Sequence, residues 1–364
     1  AKYNPEYDVG NRRLSGGSHQ LSGDLRRHAM ADKARFAALI LEMADDLECC
    51  YFSAILNGLT NQNVSGDKLE PGEKTELAVD TLIPVIHLIH DLPGDPCGDA
   101  VCGAFQRSAA LDWPPETLSI LYHYATDYGE KVDDTVDDLY QRGINTVRGS
   151  AALAIATILQ EKGSLLPDMK ATISSLSEDP SMAVRSCAIA PLLSLLSIAP
   201  DFAVDRFVQV FENAPSGLFG TPLVSRFLFS TLRDHFDRLE AILEDMLRSD
   251  IKAVVSDAGR LATLARLDGE HAETLYRKAM ASGPEARKGA AMVFGANLKD
   301  PWRSFCLPPL IEAFDDPDSD VRHEAANSVS KELLTAEGSK EIVLPFLGTA
   351  AFKEHGGNVV WGLS

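Results

Sequence analysis

The sequence lacks any run of apolar residues long enough to cross a lipid bilayer. The stretch TLIPVIHLIH, residues 81–90, is too short and contains two histidines, whereas a spanning helix needs about 20 predominantly apolar residues. A leader of basic residues followed by apolar residues is also missing from the first residues given. We therefore expect a soluble, cytoplasmic protein without a membrane partner.

Paired cysteine motifs and catalytic signatures are missing as well. The six cysteines stand at positions 49, 50, 97, 102, 187 and 306, without the CxxC spacing that tetrahedral zinc sites use. Scattered cysteines in a chain of 364 residues are typical of reduced thiols in the cytosol. The sequence contains no GxSxG, no HExxH and no Gly-Lys dipeptide, which excludes a P-loop within it. These absences predict a protein that is not an enzyme and that needs no cofactor.

Basic residues are scarce relative to acidic ones. The 34 Lys and Arg residues face 53 Asp and Glu residues, which gives a formal net charge of -19. Negative charge repels phosphate backbones and anionic lipid headgroups, and the short clusters Arg12-Arg13 and Arg26-Arg27 fit a solvated surface. We expect no nucleic-acid partner and instead a protein partner, while the oligomeric state stays open.

Aromatic residues are also few, at 7% of the chain, although hydrophobic residues make up 45%. The apolar content is therefore mainly aliphatic, with abundant Ala and Leu. Unbranched side chains lose little rotamer freedom in a helix, so this bias favours helices over strands. The composition predicts an all-α fold.

One pattern recurs through most of the sequence. In DDPDSDVRHEAANSV, residues 315–329, an acidic turn precedes Val-Arg and a helix of small residues. Related stretches can be aligned on Val147, Val184, Val224, Val254, Ala286 and Val321. The intervals of 37, 40, 30, 32 and 35 residues suit repeats of two helices each. A catalytic loop should occur once, so the recurrence predicts stacked helical hairpins.

The pattern resembles the HEAT repeat family. In that family an Asp in the turn and an Arg five to seven residues later bond along the stack. Two Asp and Arg pairs here stand six residues apart, and two further arginines occupy the Arg position. The resemblance implies an α-solenoid of HEAT-like hairpins, a right-handed superhelix of the armadillo type. It also implies a structural ladder formed by Asp179, Arg185, Asp316, Arg322, Arg148 and Arg287.

This pattern divides the chain into four segments. Residues 1–25 contain the Gly/Ser-rich stretch LSGGSHQLSGD and are predicted to be irregular. Residues 26–140 are predicted to form divergent helical hairpins, and residues 141–350 to form HEAT-like repeats. Residues 351–364 are predicted to be a truncated C-terminal segment. Because the sequence has no initiator Met and stops soon after an apolar stretch, we expect it to be a piece of a longer polypeptide.

A more specific resemblance covers roughly residues 90–355. The stretches ALDWPPETLSILYHYATD, GINTVRGSAALAIATIL, ARKGAAMVFGANL and LGTAAFKEH are similar to the C-terminal helical-repeat region of large bacterial STAND-type nucleoside triphosphatases. That group is linked to antiphage defence, and its repeats follow an effector and a P-loop ATPase and serve as a sensor arm. The resemblance implies a non-catalytic scaffold or sensor arm of a larger bacterial defence ATPase, presenting a concave, mostly acidic surface to a protein. A stand-alone HEAT-repeat adaptor is the alternative.

An acidic stretch and a histidine pair are the only metal-site candidates. If DDTVDD, residues 133–138, is helical, then Asp133, Asp134, Asp137 and Asp138 cluster on one side and could hold Mg²⁺ or Ca²⁺. His87 and His90 have helical spacing that could offer two ligands to a transition metal. A metal-dependent enzyme built on these residues is the rival hypothesis. A solvated acidic turn and two ordinary core histidines are the simpler interpretations, and we favour them.

Overall fold

The computed structural model describes residues 18–43, 47–61, 77–135, 138–212, 216–329 and 340–363. In these segments all regular secondary structure is helical and no strand occurs, which confirms the all-α prediction. Within the same segments, no helix combines the length and the apolar character that crossing a membrane requires. The chain divides into two compact units, Ala1–Val210 and Phe211–Ser364. They are called unit 1 and unit 2.

Unit 1 is built of short helices joined by tight connections. Its described helices are α1 (Ser18–Ala31), α2 (Lys33–Leu41), α3 (Cys49–Thr60), α4 (Val79–His90), α5 (Gly98–Arg107), α6 (Pro115–Thr126), α7 (Leu139–Gly143), α8 (Val147–Glu161), α9 (Leu166–Ser177), α10 (Met182–Leu195) and α11 (Pro200–Val210). A 3₁₀ turn, Gly163–Leu165, leads into α9.

These helices pack in two layers. In the first layer α1, α3, α5, α8 and α10 follow one another, each packed against the next. In the second layer α2, α4, α6, α9 and α11 do the same. Within each layer every helix but the last therefore contacts the helix at the equivalent place in the next hairpin, an arrangement consistent with a helical-repeat stack. The short α7 belongs to neither layer and packs against α10.

Unit 2 has the same two-layer plan. Its described helices are α12 (Pro222–Leu247), α13 (Lys252–Asp268), α14 (Glu273–Ser282), α15 (Pro284–Ala296), α16 (Arg303–Ala313), α17 (Ser319–Asn327), α18 (Lys340–Leu347) and α19 (Ala350–Leu363). In the first layer the first half of α12 packs against α13, α13 against α15, α15 against α17, and α17 against α19. In the second layer α16 packs against α18.

Helix α12 belongs to both layers because it breaks at His235. That residue has φ -134° and ψ 27°, outside the helical range. Before the break Ser225 accepts a hydrogen bond from Arg260 of α13, and after it Glu244 forms an ion pair with Lys278 of α14. The two halves of α12, before and after the break, thus serve as the two helices of one hairpin.

Small residues allow the first-layer helices to approach closely. Gly259 on α13 faces the backbone of Ala286, and Gly289 on α15 faces the carbonyl oxygen of Ser256. A Cβ atom at either glycine would overlap those backbone atoms, which cannot move aside as a flexible side chain can. Larger residues at these two positions would separate α13 from α15.

Polar side chains cap the starts of three helices. Thr146 accepts from the amide of Gly149 at 3.0 Å at the start of α8. Ser181 begins α10 in the same way, and Asp318 accepts from the amide of Asp320 at 2.9 Å at the start of α17. Such caps satisfy amides that have no partner within the helix.

One predicted segment boundary, the end of the irregular N-terminal segment, differs from the structure. Helix α1 begins at Ser18, so residues 18–25 are helical and not irregular, while residues 1–17 lie outside the described residues. Gly23 does not interrupt α1, because Gly58 on α3 packs against Arg26 and Ala29 of α1 and tertiary contact outweighs the low helix propensity. The predicted change from divergent hairpins to HEAT-like repeats at residue 140 lies within unit 1, where α5 and α6 pack directly against α8.

Candidate functional site

The predicted ladder residues are brought together in both units. In unit 2 the guanidinium of Arg287 on α15 donates to both carboxylate oxygens of Asp316, at 2.7 and 3.1 Å. Asp316 lies in the turn before α17, one hairpin later. The carboxylate also accepts from the amide of Asp318 at 2.9 Å, which orders the turn. This bidentate pair joins successive hairpins with a fixed geometry.

The second arginine of the pattern has a different partner. Arg322 lies six residues after Asp316, and it donates to the backbone carbonyl of Asp316 at 2.6 Å and to that of Pro317 at 3.0 Å. Its remaining donors bind the carboxylate of Glu354 on α19 at 2.9 and 2.7 Å. Each arginine therefore reaches forward along the chain to an acidic side chain of the next hairpin.

Unit 1 repeats this arrangement in a more buried setting. Arg148 on α8 forms an ion pair with Asp179, with Nε and Oδ2 2.9 Å apart. Nη1 of Arg148 also donates to the carbonyls of Tyr128 and Glu130, at 2.9 and 3.2 Å. Arg185 donates to the carbonyl of Asp179 at 2.6 Å. The guanidinium of Arg148 is thus bonded to backbone carbonyl oxygens, whereas an exposed guanidinium is bonded to water.

The pKa values of the two ladder carboxylates are shifted in opposite directions. Burial raises the pKa of Asp179, although the Ser181 amide and Arg148 both favour its charged form. Burial would also raise the pKa of Asp316, but hydrogen bonds from Arg287 and from the Asp318 amide outweigh it, so this pKa lies below its usual range. The same sequence motif has different electrostatics in the two units.

The acidic stretch on which the rival metal-site hypothesis rests is not helical at residues 133–135. Residues 131–135 are extended or irregular, Asp138 is the N-cap of α7, and Asp137 lies outside the described residues. Asp133 accepts from the amide and hydroxyl of Thr135, at 3.0 and 2.6 Å, and these bonds lower its pKa. The rival hypothesis needed a helix that places the four carboxylates on one side, and the described part of the stretch does not form one.

Asp134 instead binds the start of α10. Its carboxylate accepts from the Ser181 hydroxyl at 2.8 Å, the Met182 amide at 2.9 Å and the Ala183 amide at 3.1 Å. Glu130 binds the start of α8 in the same manner, through the amide of Val147 at 3.0 Å and the following amide at 2.9 Å. Anionic side chains at helix N-termini satisfy free amides and the positive end of the helix dipole.

The two candidate histidines have separate partners on α6. Nε2 of His87 lies 3.2 Å from the hydroxyl of Thr117. Nδ1 of His90 lies 3.0 Å from the hydroxyl of Tyr124 and 3.3 Å from a carboxylate oxygen of Asp95. Among the residues that the structure describes, no three His, Cys, Asp or Glu side chains are grouped so that they could hold a metal ion.

Asp95 is the centre of a polar cluster that the sequence analysis missed. Its backbone has φ 44°, a left-handed conformation that Asp adopts more readily than most residues. Its carboxylate accepts from the Tyr124 hydroxyl at 2.8 Å, and its carbonyl accepts from the Tyr128 hydroxyl at 3.0 Å. Burial and the bond to Asp95 raise the pKa of Tyr124, so the phenol stays protonated. The cluster joins the α4–α5 turn to α6, and the turn sequence Gly94-Asp95 was its only signal.

The first layer of unit 2 leaves a row of side chains in contact with solvent. These positions lie two and six residues after the aligned apolar residue of each helix, and they are exposed or half-buried. The row consists of Arg226, Ser230, Ser256, Arg260, Lys288, Met292, His323 and Asn327. It contains three basic side chains and no acidic one, whereas we expected a mostly acidic surface. We call it the helix row.

Comparisons with known proteins leave the family open. A scan against protein-family models finds no model that matches the chain. A search of curated proteins likewise finds no match.

Proposed function

We propose that this protein is a non-catalytic interaction scaffold, a stack of HEAT-like hairpins of the right-handed armadillo type. The observation that carries the proposal is the ladder, in which an arginine of one hairpin binds the turn aspartate of the next. Arg287 and Asp316 do so in unit 2, and Arg148 and Asp179 in unit 1. A ladder of this kind fixes the spacing of successive helices, and stacked helices present an extended surface for a partner.

The helix row is the surface that we assign to the partner. Met292 is 44% exposed on α15, and Arg226 on α12 is exposed. Lys288 on α15 has only a loose contact with Asp320, at 3.9 Å. Basic side chains around an exposed apolar one match a protein segment that carries acidic residues and an apolar anchor.

A place in a larger defence ATPase is the further part of this proposal. It rests on the resemblance to the repeat region of STAND-type enzymes, in which such an arm senses a protein. The alternative, a stand-alone adaptor, differs from this sensor arm only in having no ATPase domain before the repeats. Reading the coding frame upstream separates the two, because a P-loop domain there supports the sensor arm and an adjacent start codon supports the adaptor.

Site-specific photo-crosslinking tests the scaffold proposal. A photoreactive residue at Met292 should capture a partner through an acidic segment, whereas the same residue at Leu344, which is 67% exposed on α18 and outside the helix row, should not. The double charge reversal Arg226→Glu with Lys288→Glu should abolish the capture without changing Tm, since both side chains lie on the surface. Capture of the same proteins from both positions, or capture that survives the charge reversal, would contradict the proposal.

A further inference from the structure

Two histidines from different helices face each other on unit 2. His323 lies on α17 and His355 on α19, and their Nδ1 atoms are 3.3 Å apart. The ring centroids are 4.6 Å apart and the planes are inclined by 68°. At this distance either one neutral imidazole donates its Nδ1–H to the Nδ1 of the other, or a cation lies between the two nitrogens.

The separation of the two nitrogens matches a metal chelate. Two nitrogen ligands bound to one tetrahedral zinc ion at ordinary bond lengths lie about 3.4 Å from each other. From the Nδ1 contact of His323 and His355 we propose that this pair is a binding site for a divalent transition metal that prefers imidazole, with Zn²⁺ the best fit. No third protein ligand joins them among the described residues. Water or a bound ligand would therefore complete the coordination shell.

The neighbouring ion pair holds the two imidazoles in place. Arg322 and Glu354 each precede one of the histidines, and they form a bidentate pair between the same two helices. Arg322 is in turn fixed by the carbonyl oxygens of Asp316 and Pro317. A metal site needs its ligands preorganised, and the end of the ladder provides this.

The second ring nitrogen of His355 supports metal binding at Nδ1. Nε2 of His355 is buried and forms no hydrogen bond within the described residues, while a carboxylate oxygen of Glu354 lies 3.7 Å away. An imidazole that binds a metal through Nδ1 carries its proton on Nε2. That proton would face the negative charge of Glu354 at 3.7 Å, which is beyond hydrogen-bond distance but is a favourable electrostatic contact for an N–H group.

Most cysteines of the chain are weak competitors for the metal. Burial raises the pKa of Cys97 and Cys187 to about 12, and that of Cys50 and Cys306 to about 11. Metals bind the thiolate form, which is scarce at neutral pH when the pKa is this high. Cys49 is exposed, so the histidine variants are needed to assign the zinc that binds at pH 7.

Calorimetric titration of the whole chain with Zn²⁺ tests the site. The variants His323→Asn and His355→Asn keep a polar group at the Nδ1 position but remove the imidazole, and His28→Asn, an exposed histidine on α1, is the matched control. We expect each of the first two variants to weaken zinc binding roughly tenfold or more, and the control to bind as the wild type does. Zinc should also raise the Tm of the wild type and the control, because it binds only the folded state.

Two outcomes overturn the proposal. Equal zinc affinity in all four proteins would place the metal elsewhere, and weakening by only one of the two substitutions would show a single imidazole contact. The zinc-free Tm of each variant establishes that it is folded. Should a variant fail to fold, NMR of the wild type decides, since zinc must shift the imidazole resonances of both His323 and His355.

Discussion

The two units use the same arginine and aspartate motif in different surroundings. In unit 1 the side chains of Arg148 and Asp179 are 10% and 7% exposed, whereas those of Arg287 and Asp316 in unit 2 are 24% and 9% exposed, so the two pairs differ at the arginine. Arg148 binds two backbone carbonyls besides the aspartate. Arg287 depends on its aspartate, and water reaches the pair.

The difference shows that a repeat motif fixes contacts but not energies. Both aspartates receive an arginine from the preceding hairpin, yet burial prevails at Asp179 and hydrogen bonding prevails at Asp316. Desolvation costs a buried pair much of its Coulomb attraction. Removing one partner from such a pair is nevertheless expensive, because the other charge stays buried.

The largest expected effect comes from Arg148→Met, compared with Arg287→Met. Both substitutions keep an apolar stem. The first removes the cation paired with the buried carboxylate of Asp179 and one donor from each of two backbone carbonyls, which should lower the free energy of unfolding by about 3–5 kcal/mol. The second should cost about 1–2 kcal/mol, because Arg287 is 24% exposed and its removal opens the space beside Asp316 to water. Urea unfolding monitored by circular dichroism measures both values, and similar losses would remove the distinction between the two units.

The next largest effect concerns Asp134 of unit 1, which bonds to the start of α10. Asp134 accepts three hydrogen bonds at the start of α10. Asp134→Ala should therefore cost about 1–2 kcal/mol, as the loss of a helix cap does. Asp133→Ala is the control, since Asp133 bonds only within its own turn, to Thr135. Equal effects of the two substitutions on urea unfolding would show that the contact with α10 contributes nothing.

The positions of the ladder residues could be predicted, but not all of their bonds. Asp316 and Arg322 stand six residues apart in a recurring motif, which directs attention to both. The structure pairs the Asp316 carboxylate with Arg287, 29 residues earlier, and gives Arg322 the backbone carbonyl. Which arginine reaches the carboxylate depends on the offset between hairpins, and that offset is a property of tertiary packing.

Other features depended on contacts far apart in sequence. Asp134 binds the start of α10, 47 residues later. The spacing of the aspartates at residues 133–138 carries no information about that contact, so it could not predict the local conformation. His323 and His355 are 32 residues apart and share no motif. The all-α fold, by contrast, follows from composition and periodicity, because those signals are local.

The smallest expected effect is on the pH dependence of stability, which should have opposite signs for the ladder aspartates of the two units. A carboxyl group with a lowered pKa in the folded state stabilises the fold above its unfolded pKa and loses that contribution as pH falls. Asp316 belongs to this class, and the stability advantage of the wild type over Asp316→Asn should grow as pH rises through about 4. A carboxyl group with a raised pKa behaves oppositely, so the difference between the wild type and Asp179→Asn should become less favourable to the wild type over the same interval. Urea unfolding at several pH values between about 3 and 6 measures both trends, and parallel curves for the two substitutions would show that burial does not distinguish the two ladders.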